Sequence, residues 1–312
     1  MQGEPWSGVS VVVPVYNGAR LVERLVREVA ASLDGVGEPY ELLLIEDGSQ
    51  DSSWDAIAAA ASLSPHVKGF RLSRNFGQQI AVSAGIAKAR GNYVIVMDCD
   101  LQNPASAIPE ILKALRAGHE LVYTVSKTRN NTRDALTSRL FWFVLTRIFK
   151  ASVVKHQLMM KGMTSRMARI YDSYPEATRT VAGIVGDIGY KHAVIEVENA
   201  RRGEGRSNYG FFQRFDLMID MIISIAVAPL KILVYAGLAG LIATLTASVY
   251  FLAAALFHSA PSGITVIVLA VLLFGSLMTL MLGIVGVYLA NIYAEVRRRP
   301  LFLIAEETRS NG

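Results

Sequence analysis

Between Ile232 and Ala294 there are 63 consecutive positions without a single Asp, Glu, Lys or Arg. A helix rises about 1.5 Å per residue and the hydrocarbon layer of a bilayer is about 30 Å thick, so a stretch of this length suits two crossings and is too short for four. The uncharged turn His258 to Gly263 divides it into expected spans at about 232–257 and 264–292. The composition agrees, since 52% of residues are hydrophobic and only 18% charged, against about a quarter charged in ordinary soluble domains. A purely soluble protein is excluded. Arg201, Arg202, Arg206, Arg214 and Lys231 precede the stretch, and Arg297, Arg298 and Arg299 follow it. By the positive-inside tendency both flanks face the cytoplasm. The expected organisation is a cytoplasmic domain over 1–210, a juxtamembrane amphipathic helix over 211–230, paired spans within 231–294 and a cytoplasmic tail over 295–312.

The polar part of the chain holds the one cysteine, Cys99. A disulfide scaffold is thereby excluded and a reducing compartment expected. Val9 to Val13 is too short for the apolar core of a signal peptide and runs into Pro14, so no leader is expected. The formal charge is +5 and the pI about 9.3. Its basic residues are scattered and carry no nucleic-acid motif, so nucleic acid is not an expected partner. Anionic lipid or phosphate ligands account better for the excess.

Residues 10–126 alternate β-branched runs with helical patterns. Ser10–Val13, Glu41–Ile45, Val67–Leu72 and Tyr93–Met97 read as buried strands. Between them, Leu21, Leu25, Val29 and Leu33 mark one apolar helix face, and Ile80, Ala84 and Ala87 another. This order predicts an α/β fold with a mainly parallel sheet covered on both faces. Ligands of such sheets sit beyond the carboxyl ends of the strands, where three turns are rich in polar groups: Pro14-Val15-Tyr16-Asn17, Glu46 to Asp51, and Asp98 to Gln102. Further on, 133–154 and 211–230 show the spacing of helices lying in a membrane interface; for the first, an ordinary core-facing helix fits equally well.

Asp98 and Asp100 flank one residue at the end of an apolar strand, where two carboxylates repel each other and are costly to desolvate unless a cation binds between them. A hard divalent ion, Mg²⁺ or Mn²⁺, takes such oxygens together with phosphate oxygens, and Gln102 adds a neutral one. An Asp-x-Asp by itself is also a common solvated turn. Asp47 before Gly48 offers an acceptor for a base N–H or a ribose hydroxyl, and Tyr16-Asn17 a stacking and hydrogen-bonding surface; singly, each is also a plain loop. What raises their weight is that all three turns occur in order, each at a strand end.

The stretches VSVVVPVYNG, LLLIEDGSQDSS, RLSRNFGQQIAVSAGI, YVIVMDCDLQNP and RRGEGRSNY followed by APLKI resemble the family 2 glycosyltransferases with the GT-A fold. The resemblance extends over nearly the whole chain and is to the membrane-anchored polyprenyl-phosphate glycosyltransferases, which include dolichol-phosphate mannose synthase and the bacterial undecaprenyl-phosphate glucosyl and aminoarabinosyl transferases. It implies that Asp98, Asp100 and Gln102 hold a divalent metal and the diphosphate, that Asp47 contacts the base, and that Pro14, Tyr16 and Asn17 line the nucleotide pocket. It further implies that Arg129, Arg133, Ser138 and Arg139, with Arg202 and Ser207, face the donor and acceptor phosphates. The implied reaction moves a sugar from a nucleotide-sugar donor, UDP favoured and GDP an alternative, to polyprenyl phosphate, on the cytoplasmic face of a bacterial inner membrane and in a homo-oligomer. Gly18, Glu46, Cys99 and Asn208 depart from the residues common in the family, and Lys155 to Met163 fits it poorly.

A phosphate acceptor is already ionised near neutral pH and is itself the nucleophile, so this chemistry requires a leaving-group electrophile more than a base, and inversion is expected. A processive polysaccharide synthase normally carries Gln-x-x-Arg-Trp, which none of Trp6, Trp54 and Trp142 completes. A nicotinamide enzyme is disfavoured because no Gly-x-Gly-x-x-Gly follows the first strand. A non-catalytic nucleotide-sugar scaffold is the remaining alternative, and the intact Asp98, Asp100 and Gln102 argue against it.

Overall fold

Four hydrophobic runs rich in Val, Leu and Ile form the centre of one sheet, because residues of this kind satisfy a strand that is covered on both faces. The computed structural model describes residues 6–127, 157–174, 191–198, 242, 246, 263–297 and 299–308. In it β1 (Trp6–Val15), β2 (Tyr40–Glu46) and β3 (Val67–Leu72) contain the first three expected strands, and β4 (Gly91–Val96) takes in the fourth except Met97. β4 pairs with β1, β1 with β2 and β2 with β3, all in parallel. They are joined by β5 (Leu121–Ser126), β6 (Gln157–Thr164), β7 (His192–Val197) and β8 (Ile304–Glu307). The eight strands run in the order β7-β5-β6-β4-β1-β2-β3-β8. β6 is antiparallel to both β4 and β5, and β8 is antiparallel to β3.

Helices α1 (Ala19–Asp34), α2 (Ser53–Leu63) and α4 (Ile108–Arg116) supply the core on one face of the sheet, through Leu25, Val29, Ile57, Ile111 and Leu115. The other face is covered by α3 (Gln78–Lys88) and α5 (Ser165–Ser173), through Ala81, Ala84, Met167 and Tyr171. The expected helix faces need two corrections. In α1 it is Val22, not Leu21, that is fully buried with Leu25, Val29 and Leu33. In α3 Ala87 is exposed while every residue from Ala81 to Ile86 is buried. The reason is close packing against the sheet: a Cβ on Gly85 would overlap the side chain of Val12.

The sheet, with 300–312, forms one compact unit of the chain, and residues 209–299 with 139–151 form a second. Within the second unit the described element is α6, Gly263–Val296, 34 residues long, or about 50 Å at 1.5 Å per residue. The expected span 264–292 lies inside it. Among the described residues no helix is long and apolar enough to cross a membrane. The sequence of α6 carries a single charge, Glu295. Of the expected span 232–257 only Ile242 and Thr246 are described, both helical, with the Thr246 hydroxyl donating to the Ile242 carbonyl at 2.8 Å. The interface helices expected at 133–154 and 211–230 lie outside the described residues.

Candidate active site

Parallel β4, β1, β2 and β3 end at the same edge of the sheet, so the loops that follow them meet there. The loop after β1 and the loop after β2 are stitched together by polar side chains. Asn17 adopts φ 50°, a left-handed turn that Asn tolerates well. Its N–H donates to Ser49 Oγ at 3.0 Å, and its Oδ1 accepts from the Gln50 N–H at 3.0 Å. One residue on, the Gly18 N–H donates to Ser53 Oγ at 2.9 Å, and the Ala19 N–H to Asp51 Oδ2 at 3.1 Å. Tyr16 stands 51% exposed at the rim.

Asp47 is buried and ties in the third loop. Its Oδ1 accepts from the Phe76 N–H at 2.7 Å and its Oδ2 from the Gly77 N–H at 2.9 Å. Burial pushes its carboxyl above the usual range, against the pull of these two amides. Gly48 follows at φ +65°, and a Cβ there would overlap the backbone of Arg74 and Asn75, so the approach of the two loops requires glycine. Glu46, buried at the end of β2, accepts a short hydrogen bond from the Ser49 N–H through Oε1. Its Oε2 faces Arg71 Nε at 3.4 Å.

The Asp98-to-Gln102 turn completes the edge. Asp98 Oδ1 accepts from Gln78 Nε2 at 2.6 Å, which sets the start of α3 beside β4. Asp100 Oδ1 accepts from the Gln102 N–H at 3.0 Å. Leu101 between them is held at φ 56°, a conformation costing an L-residue with a bulky side chain about 1–2 kcal/mol. The Cys99 thiol is pushed up to about 12, first by burial and then by the charges of Asp100, Asp98 and Asp51. These carboxylates give the turn a negative field. Two carboxylates and an amide oxygen are the donor types a hard divalent ion takes, so the residues fit such an ion, although among the described residues no group of three or more His, Cys, Asp or Glu is placed to hold one.

One neighbour of this turn escapes the sequence reading. Lys161 lies in β6 opposite Val96 of β4 and Tyr123 of β5, and is only 5% exposed. Burial lowers its ammonium to about 8, with the charge of Asp98 pulling the other way. Its signal was present as a lysine between Met159 and Met163, on the face that alternation points into the core. Pro14, Tyr16, Asn17, Asp47, Asp98, Asp100 and Gln102 are therefore all at one sheet edge. Arg129, Arg133, Ser138, Arg139, Arg202 and Ser207 lie outside the described residues.

The sequence pattern of glycosyl transferase family 2 matches residues 10–173, which takes in the loops after β1, β2, β3 and β4. The chain belongs to glycosyl transferase family 2. Among curated relatives of this glycosyltransferase is an uncharacterised glycosyltransferase of Bacillus subtilis, 31% identical over 95% of this chain and 92% of that one. The undecaprenyl-phosphate 4-deoxy-4-formamido-L-arabinose transferase of Shewanella sediminis is 30% identical over 96% and 92%. The enzyme of that name from Yersinia pestis is 29% identical over 99% and 97%. In fold the glycosyltransferase is similar to glucosyl-3-phosphoglycerate synthase from Mycobacterium tuberculosis, solved with Mn²⁺, UDP-glucose and phosphoglyceric acid, with a TM-score of 0.53, 18% identity and coverage of 70% of this chain and 78% of that one. That likeness supports the GT-A α/β fold.

Proposed function

We propose that this family 2 glycosyltransferase moves a sugar from a nucleotide-sugar donor, a UDP-sugar before a GDP-sugar, to a polyprenyl phosphate, undecaprenyl phosphate first among them. The observation that carries the proposal is the convergence of Asn17, Asp47 and the Asp98-to-Gln102 turn at the carboxyl edge of the sheet, in a chain whose relatives named as undecaprenyl-phosphate transferases align over nearly its full length. In this reading the base and ribose lie between Tyr16, Asn17 and Asp47, where exposed ring and fixed acceptors are already in place. Asp98, Asp100 and Gln102 would hold a divalent cation, Mg²⁺ or Mn²⁺, which supplies positive charge against the leaving diphosphate. The lipid phosphate is already anionic, so one of its oxygens attacks the anomeric carbon from the face opposite the diphosphate and the configuration inverts. No general base is assigned. Arg129 and Arg133, with Ser138, Arg139, Arg202 and Ser207, are proposed to receive the phosphates.

The long helix α6 is proposed to cross the membrane as the second span, with 232–257 as the first. Support comes from its 34 residues with one charge at the end and from apolar side chains exposed along its whole length, including Ile264, Val271, Phe274, Leu282 and Leu289. A bilayer would cover that surface. Both flanks and the catalytic domain then face the cytoplasm.

The test is transfer of label from a panel of UDP- and GDP-sugars to undecaprenyl phosphate in detergent or nanodiscs, with Mg²⁺ or Mn²⁺, comparing the native protein with Asp100→Ala. Expected is lipid-soluble product from one donor, dependent on metal and reduced by at least about 100-fold in the variant. Binding of a nucleotide sugar without turnover of any donor would favour a non-catalytic scaffold instead.

A further inference from the structure

The segment that follows the long helix in sequence returns to the catalytic unit as its edge strand. β8 pairs with β3 through Phe70–Glu307, Arg71–Glu306 and Leu72–Ile304. Beyond it, Thr308 closes on Gly69, accepting from its N–H through Oγ1 at 2.9 Å and donating its own N–H to its carbonyl at 3.0 Å. Gly69 is small because a Cβ there would overlap Ile57 and crowd Thr308 and Trp54. Two acidic residues of β8 then make different connections. Glu307 pairs with Lys88 at the end of α3, at 2.7 Å. Glu306 is held from two sides, by Trp54 Nε1 at 3.1 Å and Arg71 Nη1 at 2.8 Å.

Arg71 connects that strand to the candidate site. Its Nε lies 3.4 Å from Glu46 Oε2, an oxygen that is buried and has no hydrogen-bond partner among the described residues. A buried carboxylate without a countercharge is costly, and Arg71 is the countercharge Glu46 has among the described residues. The other oxygen of Glu46 receives the Ser49 N–H, and Ser49 Oγ receives the Asn17 N–H. A continuous chain of polar contacts, charged as far as Glu46, therefore runs from the C-terminal strand to the turn proposed to take the nucleotide.

We propose that Glu306 of β8 acts through Arg71 as a positioning residue for the Glu46–Ser49–Asn17 junction of the donor site. The inference rests on the reading that this junction borders the nucleotide pocket. An arginine side chain that is 41% exposed has many solvent rotamers, and holding it costs side-chain entropy. Glu306 offsets that cost by fixing the guanidinium at its far side, so that Nε stays over Glu46. Without it Arg71 spends part of its time in water, the buried charge of Glu46 loses its partner, and the Ser49 and Asn17 amides lose their fixed acceptors.

The experiment compares full-length native protein in nanodiscs with Glu306→Ala, Arg71→Ala, the double variant and Glu307→Ala. Glu307→Ala is the matched control, because it removes an ion pair of the same strand at similar exposure without touching Arg71. Titration with UDP and with GDP, and hydrogen exchange of the peptide spanning residues 47–50, are the two readouts. Expected in Glu306→Ala is nucleotide affinity weakened by about fivefold or more with faster exchange at 47–50, neither of which appears in Glu307→Ala. Because both act along one path, the double variant should be no worse than Arg71→Ala alone. Equal behaviour of Glu306→Ala and Glu307→Ala, or effects of Glu306 and Arg71 that multiply, would overturn the proposal. If the native protein binds neither nucleotide, it is the reading of the site that fails. The exchange pattern still decides the relay.

Discussion

Asp47 shows how much of the site depends on single carboxylates used structurally. Both of its oxygens are engaged by the Phe76 and Gly77 amides, so before meeting any ligand it already fixes the loop between β3 and α3. Asp47→Asn keeps the shape but turns one acceptor into an NH₂ that must face a backbone N–H. One buried donor is then left unsatisfied, at a cost of about 1–3 kcal/mol. Urea unfolding of the variant should show a loss of that size, whereas an unchanged midpoint would mean the loop is held by other contacts. Residue types at strand ends were legible in the sequence: Asn17, Asp47, Asp98 and Asp100 announce themselves by standing in polar turns after apolar runs. The alternation around Lys161 marks it as core-facing, but its place near Asp98 was not legible, because what brings it there is the antiparallel pairing of β6 with β4, across more than sixty residues of intervening chain. Nor does any local pattern show that Arg71 answers to Glu46 and Glu306 together.

At the level of strands and helices, the four parallel strands were readable because each is a short β-branched run bounded by turns and followed by a helical period. β6 and β8 were not, since QLMMKGMT has few β-branched residues and IAEE is four residues long; tertiary pairing, not propensity, makes them strands. The opposite end of the sheet from the site is held by Glu41 of β2. It accepts from Ser10 Oγ of β1 at 2.7 Å, from Lys68 Nζ of β3 at 2.9 Å and from the Arg90 N–H before β4 at 2.9 Å, so one carboxylate joins four neighbouring strands. Burial pushes its carboxyl up, but Lys68, Ser10 and the Arg90 amide outweigh burial and hold it below its ordinary 4.5. The folded state therefore favours the charged form. This contribution is full above about pH 4.5 and is lost as pH falls through the lower folded value. Glu41→Gln should cost about 3 kcal/mol at pH 7 by leaving Lys68 without its partner. Urea midpoints of native and variant protein should then converge as the pH is lowered below 4.5. A gap that stays constant with pH would assign the loss to packing rather than charge.

For the whole molecule, the consequence of β8 is that the catalytic unit is discontinuous in sequence: its sheet is completed by Ile304–Glu307, from beyond the uncharged stretch. A domain boundary near residue 210 and a separate tail over 295–312 are natural from composition, because nothing in four residues reveals a pairing with β3. Physically the tail is part of the sheet. Phe302 and Ile304 pack against the core on the α3 face, and without β8 the Phe70–Leu72 edge of β3 presents unpaired N–H and C=O groups of the kind that recruit another chain. A soluble version ending at Asn208 should therefore self-associate and unfold early. One in which residues 1–208 are joined through a flexible Gly/Ser linker to 300–312 should be monomeric and more stable, by about 2–4 kcal/mol for the apolar surface and edge restored. Sedimentation together with urea unfolding of the two versions decides the point. If the shorter one is equally stable and monomeric, β3 tolerates an open edge and β8 serves only to tether the chain. If the grafted strand restores both properties, the same chain segment that leaves the long helix is a structural part of the transferase domain, and any truncation intended to free that domain from the membrane must carry it along.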